Sequence, residues 1–155
     1  MQFKASEVVT GPVEDVFAYL SDVAYYERTA LDTGVEVKRL DKLPRPGPGM
    51  RWQIPFRARG RDRIAEVTMV TLHPPQKMRF EGAVQGLHFE IDVQAEALDP
   101  NATEVTVATK TRAKSITAKV LLQSMKLARD SLNKGYRQRV RKALRQLEDR
   151  LHAGG

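Results

Sequence analysis

Few residues in this chain have the type and spacing that chemistry requires. The 155 residues include no cysteine, which excludes disulfides, zinc ribbons, thiolate clusters and a cysteine nucleophile. The three histidines, His73, His88 and His152, do not have metal-ligand spacing. No Walker-type loop, dinucleotide glycine fingerprint, HExxH or GxSxG occurs. Glu7 could point inward on the first strand, and Arg63 or Thr109 could reach a rim. Each could serve as a lone acid, base or polar group in an apolar site, where burial would shift its pKa. No nucleophile, base and orienter can be assembled around them. Catalytic residues are therefore unknown, no metal site or cofactor is expected, and the residue set points away from an enzyme.

Charge is the other chemical signal. The net charge is +7, but it is unevenly placed. From Lys110 to Arg150 there are thirteen Lys or Arg against Asp130, Glu148 and Asp149, giving +10 for that third and −3 for the rest. Lys134, Arg137, Arg139, Arg141, Lys142 and Arg145 form its densest part. Their offsets spread over much of a helix circumference, as on a solvated polar surface. The same surface could meet a polyanion or an anionic membrane. Readers of single-stranded nucleic acid add exposed aromatics for stacking. Tyr136 is the sole aromatic of this stretch and falls on its apolar stripe, so no specific nucleic-acid partner is expected.

The elements that must position these residues follow from periodicity. Phe3 to Thr10 reads as a strand ended by Gly11-Pro12. Pro12 suits the start of a helix, Glu14 and Asp15 favour its first turn, and Val13, Val16, Phe17 and Leu20 keep helical spacing. Ser21 or Asp22 can cap a second short helix holding Tyr25, Tyr26 and Leu31, stopped at Thr33-Gly34. Val35 to Leu40 is a predicted strand, followed by a stiff loop of Pro44, Pro46, Gly47, Pro48 and Gly49.

Met50, Trp52, Ile54, Phe56 and Ala58 then share one face of a strand, with Arg51, Gln53, Arg57 and Arg59 on the other. Pro55 directs that strand to a sheet edge or a bulge. A turn at Gly60-Arg61 would bring Ala65, Val67 and Met69 to the same inner face, with Ile64, Val70 and Leu72 competing for it. Gln85-Gly86 sets a hairpin with Val84 opposite Leu87, Gly82 opposite Phe89 and Phe80 opposite Ile91, all inward. Asp99 to Thr103 is the last hairpin loop, before a strand holding Val105, Val107, Thr109 and Thr111. After Ser115 a single helix is expected to His152, on the order of 55 Å long. Its apolar stripe runs through Leu121, Met125, Ala128, Leu132, Tyr136, Val140, Leu144, Leu147 and Leu151. Gly135 is its one interruption, read as a bend or a close backbone approach.

The order is strand, two short helices, a run of roughly six antiparallel strands, then a long C-terminal helix. With the opening Thr10-Gly11-Pro12-Val13-Glu14-Asp15-Val16-Phe17-Ala18-Tyr19-Leu20-Ser21-Asp22, this resembles the START-like, helix-grip (SRPBCC) superfamily. That superfamily includes birch-pollen-allergen-type proteins, polyketide cyclases and coenzyme Q-binding START proteins. The resemblance covers essentially the whole chain. It implies an α+β fold, with a curved antiparallel sheet of about seven strands around the long helix. It also implies binding of lipids, sterols, quinones, polyketides or plant hormones, with cyclisation or hydrolysis in some members. A fold sets a prior and does not establish a function.

A curved sheet around one helix leaves a gap that large side chains or a ligand must fill. Trp52, Phe56, Phe80 and Phe89 share the inward face, with Met69 and Met125 as adaptable neighbours. Tyr25 and Tyr26 lie on the second short helix, which in the resembled fold closes one end of the cavity. These eight are the candidate ligand-binding residues, and each could equally be plain core. The expected function is a binding or carrier module for a small hydrophobic molecule such as a lipid, quinone or polyketide-like compound. The alternatives are a cyclase-type or hydrolase-type enzyme on the same fold, or a module acting through the basic helix. At this length residues 1–155 read as one domain. No apolar run approaches the ~20 residues of a membrane span. The first residues lack a signal-peptide layout, and a cytoplasmic protein is the expectation.

Overall fold

A computed structural model describes residues 1–58 and 60–154, without the side chain of Ala58. Seven strands form one antiparallel sheet in the order β1-β7-β6-β5-β4-β3-β2. They are β1 (Gln2–Thr10), β2 (Lys38–Arg39), β3 (Arg51–Ala58), β4 (Arg61–His73), β5 (Lys77–Val84), β6 (Leu87–Asp99) and β7 (Ala102–Ala113). Helices α1 (Val13–Leu20) and α2 (Val23–Asp32) follow β1, and α3 (Ile116–Leu127) and α4 (Arg129–Gly154) follow β7. This is the expected seven-stranded helix-grip arrangement. Its main core joins Val16, Phe17 and Leu20 of α1 to Val93, Val105 and the helix residues Leu144 and Leu147. A smaller core of Val23, Met50, Trp52 and Met69 lies under α2.

The β5–β6 hairpin forms in the expected register, with Val84 opposite Leu87, Gly82 opposite Phe89 and Phe80 opposite Ile91. Gln85 and Gly86 both have positive φ, 47° and 82°, the backbone of a two-residue turn whose twist matches its strands. Gly82 is required for a different reason. A Cβ there would stand 2.3 Å from the Phe89 ring and 2.7 Å from the Glu66 carbonyl. Gly82→Val should therefore lower stability by about 1–3 kcal/mol, read from urea unfolding. An unchanged midpoint would show that this contact is not tight.

Three expectations about the strands need correction. Strands β3 and β4 pair with Ala58 opposite Arg61 and Trp52 opposite Val67. That is two residues from the expected register, and a slip of two keeps every side chain on its face. Arg59 itself lies outside the described residues. The competition along β4 is resolved by a bulge between Met69 and Thr71, which turns Leu72 inward beside Met69 and leaves Ile64 exposed. The second strand is only Lys38–Arg39, and the last hairpin loop shrinks to Pro100-Asn101.

The single long helix is also a correction. It breaks at Ala128, whose φ of −103° and ψ of 19° leave the helical region, so α4 is 26 residues, about 39 Å. Gly135 lies inside α4, and a Cβ there would touch nothing within 4 Å, so no close approach explains it. Leu132, expected on the buried stripe, is 39% exposed.

Candidate functional site

The concave face of the sheet does not close fully on α4. Between them lies a cavity of about 660 Å³. The α4 wall is Tyr136, Val140, Ala143, Leu144 and Leu147, and the sheet supplies Met78, Phe80, Val93 and Val107. Leu20, Val23, Tyr25 and Tyr26 of α1 and α2 close the remaining side. Thr29, Arg139, Gln146 and Arg150 are the polar and charged residues added to this lining. A partly open, mostly apolar hollow with a few polar groups is a common form of a small-molecule site.

Local contacts hold each wall. In α2, Asp22 caps the helix by accepting from the Tyr25 N–H at 3.2 Å. Glu27 then ties α2 to the sheet, accepting from Trp52 Nε1 at 2.9 Å and from Arg39 at 3.2 Å. Arg39 also grips Asp41 at 2.8 Å and the Leu43 carbonyl at 3.0 Å. The Arg39 guanidinium, helped by the backbone N–H groups of Arg51 and Leu43, holds the Asp41 carboxyl well below the usual carboxylate range. Its stabilising contribution is fully present above about pH 4 and fades as pH falls further.

Helix α4 is latched at its far end. The Thr10 N–H donates to Glu148 at 2.7 Å, and His152 Nε2 lies 2.8 Å from the Thr10 carbonyl. That N–H, more than the nearby Arg145, lowers the Glu148 pKa. Glu7, on the inner face of β1, pairs with Arg141 at 2.8 Å and Arg145 at 3.6 Å. It is a structural ion pair outside the cavity. Thr109 bonds the Tyr136 hydroxyl at 3.0 Å, and the Tyr136 ring stacks on Phe3. Arg63 bonds Gln85, away from the cavity.

The cavity brings together three of the eight candidates: Tyr25, Tyr26 and Phe80. Trp52 and Met69 are buried beneath α2, with the Trp52 ring 6.1 Å from Phe80, so they lie one layer behind the wall. Phe56 is 38% exposed near the β3–β4 turn. Phe89 lines a second, mostly polar cleft with His88, Glu81, Lys110 and Arg112, so His88 is half-buried rather than exposed. Met125 is half-buried on α3 and is not part of the cavity wall. Of the basic set, Arg141 and Arg145 are engaged by Glu7, whereas Lys134, Arg137 and Lys142 are exposed.

The residue that sequence reasoning missed is Arg150. It lies three residues beyond Leu147, on the same apolar face of α4, and a cation on that stripe was the available signal. Its guanidinium sits 3.2 Å from the centre of the Tyr25 ring and 5.1 Å from that of Tyr19.

Three phenols border the cavity, those of Tyr25, Tyr26 and Tyr136. Burial, only partly offset by the Arg150 charge, pushes the Tyr26 pKa up to about 12. Tyr136 is also raised by burial, against the opposing bond from Thr109. Tyr26 and Tyr136 stay protonated at neutral pH and are engaged within the protein, the Tyr26 hydroxyl donating to the Tyr19 carbonyl at 3.3 Å and that of Tyr136 bonding Thr109, so neither is poised to exchange protons. Among the described residues, no three His, Cys, Asp or Glu side chains converge as a metal ion would need.

A curved antiparallel sheet gripping a C-terminal helix, with an apolar cavity between them, is a helix-grip fold. No protein-family model matches the chain, and no curated protein matches it in sequence. Solved structures match closely in shape. TTHA0849 from Thermus thermophilus superposes with a TM-score of 0.68 at 16% identity, over 100% of this chain and 99% of that one. The Zhui aromatase/cyclase from a Streptomyces species gives 0.68 at 17% identity, over 100% and 98%. Norcoclaurine synthase from Thalictrum flavum gives 0.67 at 9% identity, over 96% and 84%. Identities this low speak to fold alone.

Proposed function

We propose that residues 1–155 act as one binding or carrier unit for a small hydrophobic molecule (a lipid, quinone or polyketide-like compound) held between α4, α2 and the sheet. The observation that carries this reading is the cavity of about 660 Å³ with predominantly apolar walls. The fold neighbours support it in kind, since norcoclaurine synthase has been solved with dopamine and hydroxybenzaldehyde bound. A cyclase-type or hydrolase-type activity is the weaker reading, because the polar groups of the cavity are three tyrosines, Thr29, Gln146 and two arginines, with no carboxylate among the described lining residues. The test is titration with the neutral apolar dye N-phenyl-1-naphthylamine, whose fluorescence rises when it leaves water. Saturable one-to-one binding is expected, and no binding would refute a hydrophobic-ligand function.

A second reading, contact with an anionic membrane, is favoured by α3. Ile116 is 82% exposed and Leu127 92% exposed, with Val120 on the same helix face. Lys114, Lys119, Lys126 and Arg129 surround them, the mix of apolar and basic groups that anionic bilayers attract. Sedimentation with phosphatidylcholine vesicles containing phosphatidylserine should carry the protein down, and Ile116→Glu with Leu127→Glu should release it at least tenfold. Equal sedimentation with pure phosphatidylcholine would contradict this reading. Lys134→Glu, Arg137→Glu and Lys142→Glu test the α4 surface separately. Arg141 and Arg145 do not serve, because reversing them would also repel Glu7.

A further inference from the structure

The cavity has a charge asymmetry that an apolar ligand alone would leave unused. Arg139 and Arg150 are its charged lining residues among the described residues, and no carboxylate is among them. Of the two, Arg150 is the one that the fold holds in place. Tyr25 covers one part of its guanidinium at 3.2 Å from the ring centre and Tyr19 another at 5.1 Å, and the side chain is only 23% exposed. Its nearest carboxylate is Asp22 at 3.8 Å, beyond hydrogen-bond distance. Asp22 accepts from the Tyr25 N–H through Oδ1 and faces Arg150 with Oδ2, a loose ion pair. Among the described residues Arg150 donates no hydrogen bond.

A guanidinium carries five N–H donors around the edge of a plane. Aromatic stacking covers the plane and leaves the edge, which has only the loose ion pair with Asp22 and access to water, so a carboxylate entering the cavity would meet donors not committed to a protein acceptor. A carboxylate fits that edge with two parallel charge-assisted bonds. From Arg150 the apolar wall of α4 continues back to Tyr136, about 21 Å along the helix.

We propose that the cavity selects an apolar molecule bearing a single carboxylate head, with the head at Arg150 and the tail running along α4 toward Tyr136. This rests on the cavity being the ligand site, and the experiment separates the two. Dodecanoate, dodecanol and dodecyltrimethylammonium, each below its micelle concentration, are used to displace N-phenyl-1-naphthylamine from the protein. Dodecanoate should displace the dye at a concentration at least tenfold lower than dodecanol, and the cation should do no better than dodecanol. Arg150→Gln should bring the dodecanoate-to-dodecanol ratio to about one. An unfolding midpoint in urea close to that of the parent shows that the variant is folded. Arg150→Lys should recover only part of the preference, since a point charge lacks the planar fork. Equal displacement by dodecanoate and dodecanol in the unmodified protein would overturn the proposal. So would an Arg150→Gln variant that weakens both equally, because Arg150 would then be packing rather than recognition. If neither displaces a dye that binds, the cavity reading itself falls, and this inference with it.

Discussion

Leu144→Ala or Leu147→Ala will each lower stability by about 2–5 kcal/mol, whereas Leu132→Ala will cost under about 1 kcal/mol. Leu144 and Leu147 are 4% and 3% exposed and meet the α1 residues Val16, Phe17 and Leu20 in the main core. Truncating either removes buried methyl groups from a site fixed by β6, β7 and α1, which can relax only in part. Leu132 belongs to the same heptad-like stripe but lies near the start of α4, where burial has not yet set in. Urea unfolding of the three variants decides the matter. Equal losses at 132 and 144 would mean that the first turns of α4 are docked as firmly as the last.

That contrast also marks where periodicity stops being informative. Spacing identifies the face of an element, and it did so along β5, β6 and α4. It does not say how far along that face another element lies. Leu132 and Leu144 are equivalent by spacing, and only the extent of the sheet separates them. The same holds for Trp52 and Phe56, on one face of β3, one buried under α2 and the other 38% exposed. The break at Ala128 was illegible for a local reason. Alanine is the best helix former, and neither glycine nor proline marks the spot, so no local signal announces it. The β5–β6 hairpin was readable because a turn dipeptide and inward alternation agreed. On β3 and β4 the face was readable but the register was not, since a two-residue slip leaves the pattern intact. In the cavity, Tyr25, Tyr26 and Phe80 were legible as large inward groups. Arg150 was not, because it was counted with the basic surface rather than with the stripe.

Ala143→Trp is expected to weaken dye binding by more than tenfold while leaving the unfolding midpoint close to that of the parent. Ala143 lines the cavity but is exposed on its outer side, so an indole can enter the space without displacing a core side chain. Its volume would occupy much of the room between α4 and α2 that a ligand needs. Alanine to tryptophan inside a close-packed core would instead strain the fold by about 1–3 kcal/mol or more. A large loss of stability would show that the space is already filled. Full binding in a stable variant would place the dye elsewhere, with the polar cleft around Phe89 the next candidate.

The central claim is that the space between α4, α2 and the sheet is where a hydrophobic molecule binds, and amide and methyl NMR shifts during titration with N-phenyl-1-naphthylamine test it most directly. The account predicts shifts that saturate at one equivalent and concentrate on Tyr26, Phe80, Val107, Val140, Ala143 and Leu147, the residues that face the cavity. Shifts confined to His88, Phe89 and Arg112, or to Ile116, Val120 and Leu127 on α3, would contradict it.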